Sequence, residues 1–482
     1  MLIDCPLRQR TLATPSAPAI RQDERSLNAG ELNELVDQYC AGLLQHDVAP
    51  GDHVAILSRN SIDYVALLLA IMRIHAVAVP LNIRLSATEL GRQISKLESS
   101  LLVVDFVSRE VGADIPCQLA SFDSLSESRD GGSNIGEHEP LDTDQVFSVC
   151  FTSGSDGNPK GVVLTLGNLY YNALGSNENI VLTPEDTWRL SLPLFHVGGL
   201  GIMFRSLLSG ARICVSPAFD PRVLNRQIDR GDVTHLSLVP TMLLQLLESR
   251  NYAPFPKSVK AVLVSGAPIS AQLQERIDNL AIPIVRSYGL TEMASQITAT
   301  PAGKNTEQFA TSGRPLRYRE LKIDPIPDRA DGEICVRGAV LFKGYLGNPE
   351  NPVDADGWFH TGDIGSMNQN GNLTVLGRKD EMFISGGENI FPQEIADVAE
   401  QIAGIVAAAV VPVPDATWGS RPIMFVKFAD GFKVDQERIL HEMAKSLARY
   451  KLPDRIIVLD NIPQTALGKT DKQALIEIAQ RG

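Results

Sequence analysis

Residues 146–165 constrain the chain more than any other stretch. Two apolar runs, Val146-Phe-Ser-Val-Cys-Phe151 and Val162-Val-Leu-Thr165, flank the decapeptide Thr152-Ser-Gly-Ser-Asp-Gly-Asn-Pro-Lys160-Gly161. Short apolar runs bounded by turn residues read as core strands. The three glycines between them let the backbone turn tightly and approach a ligand closely. Hydroxyls at Thr152, Ser153 and Ser155, the loop N–H groups around Gly154 and Gly157, and the Lys160 ammonium can together hold a polyanion. Taken alone, the loop fits a plain polar hairpin turn equally well. It does not fit a Walker loop, because Gly161 follows the lysine where that motif has Ser or Thr, and a strand rather than a helix comes next.

The rest of the chain alternates helical and strand patterns. Leu32, Leu35 and Val36 have helical spacing, His53–Leu57 reads as a strand, Tyr64–Ile74 as a helix and Ala76–Val79 as a strand. Ser126–Asp144, rich in Gly, Ser, Asp and Glu, reads as an exposed loop. Val233–Val239 and Ala261–Val264 are further core strands, each followed by a helix-like segment. Such βα alternation implies parallel sheet with helices on its faces. Residues 310–377 are rich in short strands and glycine turns and suggest a small β-subdomain. A compact unit of about a hundred residues follows Arg378–Asp380, with Val406–Val413 and Ile423–Phe428 as its strands.

Composition excludes several classes. With 482 residues the chain has room for two to four domains. A net charge of −13 argues against a general nucleic-acid binder, which carries a basic surface. The six scattered cysteines form no CxxC pair, so a zinc ribbon or redox motif is not expected, and free buried thiols of a reducing cytoplasm are. The start of the chain has no basic segment followed by an apolar core, so no signal peptide is expected. The apolar stretch Tyr64–Leu81 is broken by Arg73, His75 and Pro80, and reads as a buried helix leading into a strand rather than a membrane span.

Six further motifs follow the decapeptide in order: Ser287-Tyr-Gly-Leu-Thr-Glu292; Asp331-Gly-Glu-Ile-Cys-Val-Arg-Gly338 with Lys343-Gly-Tyr345; Gly357-Trp-Phe-His-Thr-Gly-Asp363; Gly377-Arg-Lys-Asp380; Ser385-Gly-Gly-Glu-Asn-Ile390; and Pro463-Gln-Thr-Ala-Leu-Gly-Lys469. Together they resemble the AMP-forming adenylating superfamily of acyl-CoA synthetases, peptide-synthetase adenylation domains and luciferases. The resemblance covers essentially the whole chain. It implies an α/β fold: a large N-terminal domain of two αβ sheets plus a β-subdomain (residues 1–377), a hinge at 378–380 centred on Asp380, and a small mobile C-terminal α+β domain (381–482). It implies ATP, Mg²⁺ and CoA as reaction partners, and the 331–345 segment as a strand pair.

The resemblance also distributes roles. Joining a carboxylate to the α-phosphorus of ATP brings two anions together, so the site must supply positive charge and in-line geometry. Lys469 is the expected catalytic lysine. Lys160 and the loop hold phosphates. Tyr288, Gly289 and Thr291 belong to the adenine and phosphate segment, with Tyr288 stacking on adenine. Glu292 is the expected Mg²⁺ ligand, since Mg²⁺ on nucleotide phosphates takes one or two carboxylates; following Thr291 at an expected helix start, it could equally complement a helix dipole. Asp363 is acceptor-only when ionised and suits two ribose hydroxyls; a simple Asx turn is the plainer alternative. Arg378 either reaches the ribose or pairs with a carboxylate. Gly386, Gly387 and Glu388 form the thiol-side loop, where the glycines allow close approach of a pantetheine arm. One site cannot present lysine and thiol together, so rotation about Asp380 would exchange them. Asp156 departs from the usual Thr or Ser of the phosphate loop, and an anion there is unfavourable beside triphosphate.

For the acid, the decisive stretch is Ser191-Leu-Pro-Leu-Phe-His196-Val-Gly-Gly-Leu-Gly-Ile-Met-Phe-Arg205. His196 is general to the superfamily, where it gates or orients the acid. The continuation to Arg205 closely resembles the o-succinylbenzoate–CoA ligase branch, which serves menaquinone and phylloquinone biosynthesis. That substrate has two carboxylates, and the one not activated needs a cation. Arg205, nine residues after His196 on an expected helix, could clamp it; a partly exposed helix arginine is the alternative. Ser237 in Thr234–Thr241 and Ser295 in Ala294-Ser-Gln296 are expected to line the pocket. Another acyl- or aryl-CoA ligase, a stand-alone module loading a carrier protein, and an inactive binding protein remain open from sequence. A homo-oligomer is compatible with all of them.

Overall fold

The decapeptide does turn between two antiparallel strands. Val146–Thr152 pairs with Lys160–Thr165, with Thr152 opposite Lys160 and Phe151 opposite Gly161. The computed structural model describes residues 1–97, 101–127, 140–152, 159–267, 269, 271–302, 311–326, 331–348, 350, 352–379, 381–385, 388–415, 418–429, 431–432, 435–447, 449–465 and 470–481, without the side chains of 271, 272, 384, 388, 389 and 450. Of the expected site residues, Ser153, Gly154, Ser155, Gly157, Asp380, Gly386, Gly387, the Glu388 side chain and Lys469 lie outside the described residues, as does Asp156.

By internal packing the chain divides into two compact units. One comprises Met1–Ala267, Leu280–Glu320 and Val336–Phe359; the other comprises Pro268–Asn279, Leu321–Cys335 and His360–Gly482.

The first unit contains two large sheets. In the seven-stranded sheet the spatial order is Gly344–Tyr345, Lys160–Thr165, Val146–Thr152, Val77–Pro80, His53–Leu57, Leu101–Val104 and Leu119–Ser121. The nine-stranded sheet runs Arg314–Pro315, Ser295–Ala299, Ile284–Leu290, Ala261–Val264, His235–Leu238, Thr187–Leu190, Arg212–Val215, Pro18–Gln22 and Arg25–Asn28. Their inner pairs are parallel and only the edges are antiparallel. Parallel strands covered on both faces need continuous apolar runs, which is why Ala261–Val264 and Leu101–Val104 are buried at every position.

Two helices explain how the sheets hold together. Ile62–Arg73 starts at Ser61, whose side chain accepts from Tyr64 N–H, and it touches both Val77–Pro80 and Pro18–Gln22. Packed between the sheets, it buries every residue from Ile62 to Met72 except Asp63, which is why it read as one long apolar stretch. Each Leu or Ile so buried stabilises the fold by about 1.5–3 kcal/mol. Val197–Ser209 takes the same kind of position. It packs on Thr187–Leu190 and Arg212–Val215 of the nine-stranded sheet, while Phe204 meets Phe147 of the other sheet at 5.5 Å between ring centroids.

The second unit contains most of a four-stranded sheet, ordered Arg319–Pro325, Gly332–Gly338, Phe359–Met367, Leu373–Arg378, of which Arg319, Glu320, Val336–Gly338 and Phe359 fall in the first unit, and a five-stranded sheet built on the long pair Ile405–Asp415 and Gly419–Phe428. Helix Pro392–Glu400 covers the latter, burying Ile395, Ala396 and Ala399 against Ile405 and Met424. Among the described residues, no helix is long and apolar enough to cross a membrane. All six cysteines are thiols, none in a disulfide; Cys117 is half-buried and the rest are buried.

Three expectations need correction. Ser126–Asp144 is not exposed throughout: Leu141 and Thr143 are buried, and Leu141–Asp142 pairs with Leu2–Ile3. The strands Gly332–Gly338 and Gly344–Tyr345 are not a pair; Tyr345 lies opposite Val162 instead, adding an edge strand beside the phosphate hairpin. No long helix follows Leu290. Thr291–Met293 is one 3₁₀ turn, because Ala294 and Ser295 take φ of 52° and 118° and the chain enters the strand Ser295–Ala299. Glu292 therefore has no extended helix dipole to complement.

Candidate active site

The edge strand Gly344–Tyr345 brings two expected site residues to one side chain. Tyr345 Oη donates to Glu292 Oε1 at 2.9 Å, and Lys160 Nζ lies 5.4 Å from the Tyr345 ring centroid. The backbone carbonyl of Glu292 accepts from Phe342 N–H at 2.8 Å, fixing the 3₁₀ turn to the same edge. Lys160 is exposed and Glu292 half-buried, so a cation for phosphate and a carboxylate for a metal face the same region of the first unit. Thr152 Oγ1 donates to the Lys160 carbonyl at 3.4 Å, closing the base of the hairpin. The donor set fits Mg²⁺: Glu292 is a hard carboxylate, oriented through one oxygen by a phenol.

Tyr288 and Gly289 sit at the end of Ile284–Leu290, on a bulge opposite Ser295–Ala299. A side chain at Gly289 would put its Cβ 1.7 Å from the Ser295 carbonyl oxygen, so only glycine fits this approach. Thr291 and Ser295 flank the same turn. The positive φ at two consecutive non-glycine residues, Ala294 and Ser295, is a backbone strain of the kind that collects at binding sites.

The acid-side residues form a buried polar cluster. Arg205, on Val197–Ser209, is 1% exposed. This overturns the partly exposed reading. Its Nη1 donates to Gln296 Oε1 at 3.2 Å, and its guanidinium carbon lies 4.7 Å from the Trp188 ring centroid. Trp188 in turn donates through Nε1 to Ser237 Oγ at 3.0 Å. Arg205 thus links Gln296 of the strand Ser295–Ala299 to Trp188, and Trp188 links it to Ser237. A second buried guanidinium, Arg319, donates to the carbonyls of Gln296, Arg317 and Asn172. Among the described residues neither arginine pairs with a carboxylate, and Arg205 Nε has no hydrogen-bond partner. Burial lowers both from the ordinary arginine value to about 9, with Arg205 adding repulsion at Arg319. His196 stands at the N-cap position of the same helix without a side-chain capping bond, and its ring meets that of Phe195 at 4.7 Å between centroids, tilted by 58°.

In the second unit Asp363 and Arg378 face each other across antiparallel strands, with Arg378 Nη1 3.3 Å from Asp363 Oδ1. Asp363 is 5% exposed and its N–H donates to Thr361 Oγ1. Gly362 has φ of 73° and its N–H donates to Glu333 Oε1 at 3.1 Å. Arg378 does take a carboxylate partner, and Asp363 does follow a left-handed glycine.

The residues described in the first unit have the chemistry to hold phosphate, a divalent cation and a buried anion, and the Asp363–Arg378 pair of the second has the acceptor and donor for a ribose. The family pattern "AMP-binding enzyme" matches residues 7–346, and "AMP-binding enzyme C-terminal domain" matches 394–469. The chain belongs to the AMP-binding enzymes. Among these AMP-binding enzymes, a 2-succinylbenzoate–CoA ligase of Bacillus mycoides is 34% identical over 98% of both chains. The o-succinylbenzoate CoA synthetase of Bacillus subtilis, solved with its acyl-adenylate intermediate, is 30% identical with a TM-score of 0.89 over 98% of each chain; it has also been solved with ATP and a magnesium ion. ATP-bound MatB of Rhodopseudomonas palustris superposes equally well, with a TM-score of 0.90 over 99% of each chain at 26% identity.

Sequence reasoning missed Trp188 and Arg319. Trp188 is one residue of an ordinary buried strand, and its ring shows a role only when the helix carrying Arg205 is packed over it. Arg319 sits in Arg317-Tyr-Arg319, which has the look of a surface turn. No local signal marks it as 6% exposed.

Proposed function

We propose that this AMP-binding enzyme is an ATP-dependent, AMP-forming acid–thiol ligase that converts 2-succinylbenzoate and CoA to 2-succinylbenzoyl-CoA through an acyl-adenylate. One observation carries the choice of acid: Arg205 is a buried cation without a carboxylate partner among the described residues, on the helix that His196 begins. A buried unpaired charge costs several kcal/mol. A dicarboxylic substrate would supply the missing anion, and a monocarboxylic acid would not.

In the first half-reaction the succinyl carboxylate attacks the α-phosphorus and pyrophosphate leaves. In the second a thiolate attacks the acyl carbon and AMP leaves. Lys160, Thr152 and the loop through Ser153, Gly154, Ser155 and Gly157 would bind phosphates. Glu292 would hold Mg²⁺, which neutralises charge on the phosphates. Tyr288, Gly289 and Thr291 would carry the adenine side, and Asp363 with Arg378 the ribose. Ser237 and Ser295 would line the acid pocket. Lys469 would stabilise the attacking and bridging oxygens. Residues 1–377 and 381–482 would act as two domains about the hinge Asp380, with Gly386, Gly387 and Glu388 admitting the thiol after rotation. The lack of a membrane-length helix among the described residues is compatible with a cytoplasmic enzyme.

The test is product identification. With ATP, Mg²⁺, CoA and a panel of acids, mass spectrometry should find 2-succinylbenzoyl-CoA, AMP and pyrophosphate. ADP and phosphate would end the reading. Lys469→Ala should slow adenylation on the order of 10²–10³-fold while sparing thioester formation from pre-made acyl-AMP, and Gly387→Trp should do the reverse.

A further inference from the structure

The four-stranded sheet of the second unit carries a side-chain set that the ligase reading does not use. Asp324, Cys335 and His360 come from three successive strands of that sheet, Arg319–Pro325, Gly332–Gly338 and Phe359–Met367. Adjacent strands lie about 4.8 Å apart, so side chains on one face at matching positions can converge. They do: one ligand atom from each of the three lies within 4.8 Å of the others. Cys335 Sγ is 3.4 Å from His360 Nδ1, and Glu333 Oε2 is 3.5 Å from the same nitrogen. Glu333 stands two residues before Cys335 and so shares its face.

The 3.4 and 3.5 Å separations are those of ligands on one metal, and Asp324, within 4.8 Å, would close by up to about 1 Å on binding. A tetrahedral zinc with bonds of about 2.0–2.3 Å has its ligand atoms about 3.3–3.8 Å apart. Thiolate, imidazole and carboxylate together select zinc-like ions, whereas Mg²⁺ takes oxygen alone. Cys335 is fully buried, while Asp324 and the His360 side chain are exposed, so a buried soft ligand lies behind a solvent-facing entrance. Lys379 is the opposing charge: its Nζ lies 2.8 Å from Glu333 Oε2. Its side chain is 58% exposed and can turn to solvent.

We propose that Cys335, His360 and Asp324 form a binding site for a zinc-type divalent cation, with Glu333 as fourth ligand. On binding, the Cys335 thiol loses its proton to solvent and the sulfur bonds the metal. Because Glu333 Oε1 also holds the N–H of Gly362, next to Asp363, occupancy would be felt at that strand.

The experiment is a titration of the metal-free full-length enzyme with Co²⁺, followed by the thiolate-to-cobalt charge-transfer absorption. The band should appear, saturate at one equivalent, survive excess Mg²⁺ and be displaced by Zn²⁺. It should vanish in C335S and persist in C117S, which changes the one cysteine that is only half-buried. H360Q alters a side chain 40% exposed, so it tests the site without emptying the core. It should weaken binding on the order of tenfold or more, as should D324N. Absence of the band in the wild type, a band retained in C335S, or unchanged affinity in both H360Q and D324N would overturn the proposal and leave an ordinary ion cluster of Glu333, Lys379 and His360.

Discussion

Arg205 and Arg378 are the two guanidinium groups expected to meet substrate, and their surroundings are opposite. Arg378 is 42% exposed on its side chain and faces Asp363 at 3.3 Å. Arg205 is 1% exposed and, among the described residues, meets a neutral amide oxygen and an indole face. The first pair is complete before ligand arrives; a ribose would be added to it. The second group is kept charged at a cost that an incoming carboxylate could offset. A cation–π contact of about 0.5–2 kcal/mol recovers only part of that cost. Gly201 makes the position reachable, since a Cβ there would sit 3.0 Å from Arg205 Nη1.

The comparison breaks most visibly in stability. Arg319→Met would remove donors from three carbonyls, of which, among the described residues, only that of Gln296 keeps another side-chain donor, Asn172 Nδ2, and should destabilise by about 3 kcal/mol. Arg205→Met, of similar length, should be neutral or stabilising by about 1 kcal/mol or more, because it removes an unpaired buried charge. Urea unfolding of both variants checks this; equal losses would mean that Arg205 is as structural as Arg319.

Asp363→Asn sharpens the other side. The variant keeps a hydrogen-bonding group but loses the anion, so KM for ATP should rise roughly 10- to 100-fold, a loss of about 1.5–3 kcal/mol for bonds to a charged group. Folding stability should change by less than about 1 kcal/mol, as for other partly exposed ion pairs.

The smallest effect separates the two units by pH. In the first unit, burial holds His235 neutral and lowers it to about 4. Its contribution is complete above about 6.5 and is lost as pH falls through about 4. In the second unit, burial raises Glu400 to about 7. Its contribution is complete below the ordinary glutamate value and is lost as pH rises through about 7. Each window is worth on the order of 1–2 kcal/mol, that of half-buried Glu400 the smaller. Unfolding across pH 4–8 should show H235N flattening the acid side and E400Q the neutral side. Variants that leave both slopes unchanged would remove these groups from the account.

Much of this was readable in the sequence because it is local. The phosphate hairpin is framed by its own strand residues, and Gly362–Asp363 closes the contiguous motif Gly357–Asp363, although the structure places both in the strand Phe359–Met367 rather than in a turn. The Arg205 helix is marked by apolar spacing and by His196 ahead of it. What escaped depends on distant packing. Tyr345 was expected beside Gly332–Gly338, but edge pairing is decided by which strand has an open side, and that was Lys160–Thr165. Trp188 and Arg319 acquire their roles only where two sheets and a helix meet. The helix expected after Leu290 failed because two left-handed residues, Ala294 and Ser295, stop it after one turn.

The central claim is that Arg205 receives the second carboxylate of the acid. The most direct measurement compares kcat/KM for o-succinylbenzoate and for an analogue lacking the aryl carboxylate, in the wild type and in Arg205→Ala. Losing a charge-assisted contact to a buried anion costs about 2–5 kcal/mol, very roughly 30- to 5,000-fold. The account predicts that loss on o-succinylbenzoate, almost none on the analogue, and an unchanged Kd for ATP. An equal loss on both acids, or a wild type that prefers the monocarboxylate, would contradict it.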